Sequence, residues 1–114
     1  MAYYRSNQPK HSMRKIEQQM QNAIRNGKNW GSGNTTVSVD QEGYTSVRLH
    51  GHRIAEIEPN GDMILSSCGW STVTTKSRLN AILDVFLDGM SIIQKDFTWY
   101  IAGDQFFDGY RITR

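Results

Sequence analysis

The chain has a single cysteine, Cys68, among its 114 residues. An intrachain disulfide is therefore impossible, and a zinc site built on paired cysteines cannot form. Such cysteine usage fits a reducing compartment. There is no apolar run long enough to span a bilayer, so membrane insertion is set aside. The N-terminus, MAYYRSNQPKHSMRKIEQQ, has basic residues but no apolar core segment and no cleavage-like site, so no secretory signal is read there. Net charge is small, +2, well short of the strongly basic stripe of a dedicated DNA binder. No internal repeat or low-complexity segment is visible.

Catalytic constellations are equally scarce. No serine sits in a Gly-x-Ser-x-Gly elbow, and Cys68 has no indicated base nearby in the sequence. GSGN, residues 31–34, is not followed by the lysine and hydroxyl of a phosphate-binding loop. Asp104 and Asp108 read as turn aspartates. Of the three histidines, His50 and His52 flank one glycine and His11 lies far away, so no converging metal set is expected. The expectation is a protein that is not an enzyme, with no catalytic residues, no metal and no cofactor.

What is present is enough for one fold. The length suits one domain, and 38% hydrophobic with 21% charged residues is a globular balance. Charge is uneven. Residues 1–28 carry Arg5, Lys10, Arg14, Lys15, Arg25 and Lys28 against Glu17 alone, a local +5, whereas 29–114 hold seven basic and ten acidic residues. A basic arm on a mildly acidic body suits contact with a polyanion or an acidic partner, and equally a solvated helix face.

Residues 1–11 read as a flexible arm. From Ser12, a plausible N-cap, Met13, Ile16, Met20, Ala23 and Ile24 fall at spacings of three and four, predicting an amphipathic helix over 12–28 that ends at Gly27. Gln8, Gln18, Gln19 and Gln21 then face solvent or a partner. NWGSGN, residues 29–34, has the composition of a linker, which would let the first helix pack loosely or on a neighbour. A single α+β domain is expected over 35–114. Its strands begin with Thr35, Val37 and Val39 alternating with polar residues. Runs near 44–49, 53–58 and 63–66 follow, the last two joined by EPNGD, a turn sequence. Val47 and Leu49, then Ala55 and Ile57, are the inward positions of a tight hairpin with HGH at its tip, Gly51 supplying the positive φ. The histidines therefore turn a corner. Trp70 is expected to fold over the sheet as a core aromatic.

A second helix is predicted from Lys76 to about Asp88, with Leu79, Ile82, Leu83 and Phe86 on one face and Gly89 as terminator. Two short strands, Thr98 to Ala102 and Gln105 to Phe107, follow. The fold class is α+β: an N-terminal amphipathic helix, an antiparallel meander, one helix packed on the sheet, then a C-terminal hairpin.

Two features suggest binding. Thr74 or Thr75 as N-cap would put Lys76 and Arg78 in the first turn of the second helix, where the macrodipole disfavours cations. Hydroxyls, free N–H groups, a lysine and an arginine at a helix N-terminus suit an anion, unless Lys76 and Arg78 reach sheet carboxylates such as Glu56 or Glu58. Arg14, Lys15, Arg25 and Lys28 would extend that surface. Aromatics are also plentiful, and Trp30, Trp99 and Tyr100 are candidate contacts. Trp99 and Tyr100 are neighbours on one strand, so one must leave the helix-covered face.

The segment VRLHGHRIAEIEPNGDMILSSCGWSTVTTKSRLNAIL, with the later WYIAGDQFFDGYRI, resembles a group of small proteins encoded by tailed bacteriophages. The resemblance rests on LHG followed by IA, GW before a threonine-rich cap, TTKSRLNAIL, and a closing F-x-DG, covering roughly residues 35–112. It implies a phage gene product in an infected bacterial cytoplasm and carries no activity. The first expectation is a non-enzymatic accessory protein that contacts nucleic acid through the arm and the anion site. Alternatives are a protein-binding inhibitor of a host nucleic-acid-handling or defence factor, and a structural module forming a homodimer.

Overall fold

The computed structural model describes residues 14–87 and 89–114; the arm at 1–11, the Ser12 cap and Asp88 lie outside the described residues. Helix α1 (Lys15–Asn26) ends at Gly27, whose φ of 61° lets its N–H and that of Lys28 turn back on the last carbonyls. Its inward stripe is Glu17, Met20, Gln21, Ala23 and Ile24. Two of these five are polar, and both are matched. Gln21, expected to face outward, is 6% exposed and donates its amide to the Ala81 carbonyl oxygen at 2.8 Å.

The segment read as a linker contains strand β1 (Trp30–Ser32), the edge of a six-stranded antiparallel sheet. Its pairing with β2 (Thr35–Val39) leaves little slack, so α1 is anchored directly to the sheet rather than tethered loosely. β3 (Thr45–Leu49), β4 (His52–Ile57) and β5 (Met63–Leu65) continue the meander. β9 (Tyr110–Ile112) returns from the C-terminus to close it in the order β1-β2-β3-β4-β5-β9. Registers Val37↔Val47, Val47↔Ala55 and Ala55↔Leu65 place one apolar row beneath the helices. A bulge breaks the β3–β4 register beside Val47 and Arg48, leaving Ile54 as the extra residue between Arg53 and Ala55. Ile54 and Ala55 are thus both buried despite being adjacent.

Helix α2 (Val73–Phe86) starts three residues earlier than expected and stops before Asp88. Its N-cap is Thr72, not Thr74 or Thr75: the Thr72 hydroxyl accepts from the Thr75 N–H at 3.1 Å. Leu79, Ile82 and Leu83 are fully buried, so α2 and α1 lie side by side on the sheet and share one core. Two helices cover the sheet where one had been expected, because Met20 and Ile24 need the same apolar face as Leu79 and Leu83.

The C-terminal hairpin is a three-stranded sheet, β6 (Ile92–Lys95), β7 (Thr98–Ile101) and β8 (Asp104–Gln105). Ile92, Trp99 and Ile101 share its inner face and join the core. It is fastened to α2 by Asn80, whose side-chain carbonyl accepts from the Ile92 N–H at 2.6 Å and whose amide donates to the Ile92 carbonyl at 3.1 Å.

Beneath this packing lies one buried ion pair. Arg78 Nη1 donates to Glu17 Oε2 at 2.8 Å, with side chains 4% and 0% exposed. Ser77 also donates to Oε2, at 2.6 Å, and the Arg14 N–H to Oε1. The rest of the guanidinium is used: Nε on Thr35 Oγ1 at 3.0 Å, Nη2 on Asn34 Oδ1 at 3.3 Å. Removing one partner strands a charge in a site water does not reach. We expect Glu17→Ala or Arg78→Ala to cost about 3–5 kcal/mol in urea unfolding, and the double replacement Glu17→Leu with Arg78→Met to recover most of that loss.

Candidate binding site

The β3–β4 connection is a two-residue turn, His50–Gly51, with φ of 53° and 81°. Both positive angles match the twist of the flanking strands, and glycine takes the second without strain. The His50 N–H also donates to the Asn34 carbonyl at 2.8 Å, tying the tip to the start of β2. His50 and His52 are exposed at this end. They do turn the corner, and they also stand at the mouth of a cleft of about 460 Å³.

That cleft runs between the hairpin tip, the loop after β5 and the N-terminus of α2. Leu49 and Ile54 give it an apolar lining; Cys68, Thr72, Thr74 and Thr75 contribute a thiol and hydroxyls, and Trp70 stands beside it. Its size is that of a small-molecule pocket. The Cys68 Sγ donates to the Arg53 carbonyl at 3.0 Å and meets the Ser66 hydroxyl. Among the described residues no group of three or more His, Cys, Asp or Glu side chains is placed to hold a metal ion.

The loop carrying Cys68 and Trp70 is shaped by Asp108. One carboxylate oxygen accepts from the Ser67 N–H at 2.7 Å and the Ser67 hydroxyl at 2.8 Å; the other accepts from the Gly69 N–H at 3.2 Å. With Asp108 holding it, the loop places Cys68 at φ 55° and Gly69 at φ 80°, which swings Trp70 outward. Trp70 is 61% exposed, against the expectation of a core aromatic. Its expected place is taken by Trp99, 5% exposed and packed on Phe106 at 5.7 Å between ring centres. Trp99 is therefore no surface contact. Tyr100 is half-buried on the outer face of the small sheet, and Trp30 is half-buried against the core.

Two of the four residues expected to form the anion site at the start of α2 are withdrawn into the core. Arg78 is 3% exposed and committed to Glu17; Thr75 is 1% exposed and bonded to Thr72. Because the helix begins at Val73, Arg78 belongs to the second turn, where the dipole has faded. Neither sheet carboxylate is its partner: Glu56 pairs with Arg53 and Glu58 with Arg111. Thr74 and Lys76 remain half-exposed. Arg14, Lys15, Arg25 and Lys28 are exposed on or beside α1, away from the cleft lining.

What the sequence reading missed is the grouping of outward apolar side chains. Phe97, 94% exposed, and Phe107, 61%, border one groove on the far side of the Asp108 loop, lined also by Ser67, Gly69 and Ser71. Val73 and Ile93 are also mostly exposed and line a neighbouring hollow together. A signal was available for Trp70, since Cys68-Gly69 is a turn pair that interrupts the apolar alternation just before it. No such signal exists for Phe97.

These features define a two-layer α+β protein with paired helices on an antiparallel sheet and an aromatic-edged cleft at one end. Residues 13–113 match the model of the Kyanoviridae Gp96 protein, and the chain belongs to that family of tailed-phage proteins. The match takes in α1, which the resemblance beginning near residue 35 had left out. No curated protein matches the chain at a significant level, and no solved structure does. Among the described residues no helix is long and apolar enough to cross a membrane.

Two outcomes test this site. Trp70→Ala should leave stability within about 0.5 kcal/mol of the parent in urea unfolding, whereas Trp99→Ala should cost about 3–5 kcal/mol. For Asp108, burial opposes the charged form, but the Ser67 and Gly69 donors outweigh it and hold the carboxyl below the usual carboxylate range. A depressed folded value means the stabilisation is complete above the unfolded value and disappears as pH falls through the folded one. Asp108→Asn should accordingly lower Tm at neutral pH, and the difference from the parent should shrink as melts are taken into that acid range.

Proposed function

We propose that this chain is a non-enzymatic phage accessory protein of the infected bacterial cytoplasm that binds a protein surface through the cleft and its aromatic surround. The observation that carries this is the grouping of Trp70, Phe97 and Phe107, each more than half exposed, around the one loop that Asp108 holds. Monomeric proteins seldom leave several large aromatics exposed in one place, and aromatic side chains dominate the energetics of protein interfaces. The withdrawal of Arg78 and Thr75 into the core removes half of the candidate anion site and favours a protein over a nucleic-acid partner.

Nucleic-acid contact is a second reading, supported by the exposure of Arg14, Lys15, Arg25 and Lys28 on or beside α1. The two differ in salt response, because phosphate contacts weaken steeply with ionic strength and apolar contacts do not. Size-exclusion chromatography of the tagged chain in nuclease-treated host lysate at high salt separates them. The expected result is elution in an assembly larger than the 13.1 kDa monomer, with Trp70→Ala returning the chain to monomer. Direct binding of labelled DNA or RNA, steeply salt-dependent and lost in Arg25→Glu with Lys28→Glu, would overturn the protein reading in favour of the nucleic-acid one.

A further inference from the structure

Among the described residues four consecutive pairs have positive φ at both positions: His50–Gly51, Cys68–Gly69, Asp96–Phe97 and Ala102–Gly103. Three place glycine second. The β6–β7 turn alone places a bulky side chain there, Phe97 at φ 66°. An aromatic residue in the left-handed region is an outlier that costs folding energy. Among the described residues no packing compensates it, since the ring is 94% exposed. Beside it, Asp96 is exposed and has no ion pair among the described residues. The two-residue turn thus carries an exposed carboxylate and an exposed phenyl ring on adjacent residues, each bordering its own hollow.

The cleft offers the complement. Leu49, Ile54 and Trp70 supply an apolar surface for a ring. The N-terminus of α2, with no acidic residue in its first turn, supplies positive partial charge for a carboxylate, and the His50 and His52 imidazoles beside it supply ring N–H donors. Tip and cleft also flank one loop: Ser67, Cys68 and Trp70 border the cleft, while Ser67, Gly69 and Ser71 border the groove beside Phe97. A two-fold axis near that loop would set each tip against the other copy's cleft, a closed and self-complementary arrangement.

We propose that the protein bound at this surface is a second copy of the chain, in a reciprocal dimer that seats Asp96 and Phe97 of each subunit in the Leu49, Ile54 and Trp70 cleft of the other. The proposal rests on the protein-binding reading of the same surface and names its partner. Strain retained at an exposed turn is then explained, because the ring is buried in the dimer.

Sedimentation equilibrium of the purified full chain, from micromolar to submillimolar concentration, tests it. A monomer–dimer equilibrium is expected. Phe97→Gly should weaken it about thirtyfold or more, the scale of a hot-spot side chain, with Tm of the monomer unchanged or raised, since glycine accepts the turn geometry. Trp70→Ala should weaken it as well. An equimolar mixture of Phe97→Gly and Trp70→Ala should form more dimer than either variant alone, because one intact tip and one intact cleft then face each other. A chain that stays monomeric throughout, or a dimer indifferent to both substitutions, overturns the proposal. If the purified chain is monomeric while a Trp70-dependent assembly persists in lysate, the protein-binding reading stands and the second copy is the wrong partner. Monomer in both settings removes both.

Discussion

Glu17 and Arg78 come from two helices separated by five strands of sequence, and their contact at 2.8 Å is where those helices and the sheet are brought into register. A carboxylate and a guanidinium out of water are tolerated only if nearly every donor and acceptor is matched. Here Glu17 accepts from Arg14, Ser77 and Arg78, while Arg78 reaches Thr35 and Asn34 as well. Such a set is satisfied only when α1, α2 and the start of β2 all stand in one arrangement. Apolar packing among Met20, Leu79 and Val47 would tolerate small slides of helix on sheet, whereas the polar set would not.

The position of the cleft follows from that constraint. Asn34, which accepts from Arg78 through its side chain, also accepts the His50 N–H through its backbone, so the β3–β4 tip is referred to the same point as α2. With Arg78 held, the Thr72 cap lies opposite His50 and His52, and the space between them is the cleft. A second anchor, Asp108, works from the other end of the chain. Its carboxylate organises the Ser67–Gly69 backbone and so decides that Trp70 points away from the core. Asn80 does the equivalent for the small sheet by engaging Ile92 as a neighbouring strand would.

Charge is sorted by the same folding. The cations that could have met a polyanion divide into Arg78, consumed internally, Lys76, half-exposed in the first turn of α2, and Arg14, Lys15, Arg25 and Lys28, left on the surface of α1 or beside it. On the open face of the sheet Arg53 and Arg111 are matched with Glu56, Glu58 and Asp62. What remains conspicuous is apolar: Trp70, Phe97 and Phe107 around one loop, with Val73 and Ile93 exposed as well.

The α+β class, the meander, the hairpin at His50–Gly51, the second helix and the closing hairpin were legible in the sequence, because apolar period and turn residues are local properties. So was membership of a phage family, carried by LHG, GW and TTKSRLNAIL. Strands β1, β6 and β9 were not, since their own residues show no clear alternation and they acquire their identity from the neighbour they pair with. Nor was the fate of individual polar residues. Gln21, Thr75 and Arg78 look solvated in a list of residues and are buried because partners from distant positions satisfy them. Trp70 and Trp99 exchange their expected places for a similar reason: composition puts aromatics in excess of what a small core can hold. Asp108 on one loop and Phe106 beside the other tryptophan, brought there by folding, settle that Trp70 is the one left outside.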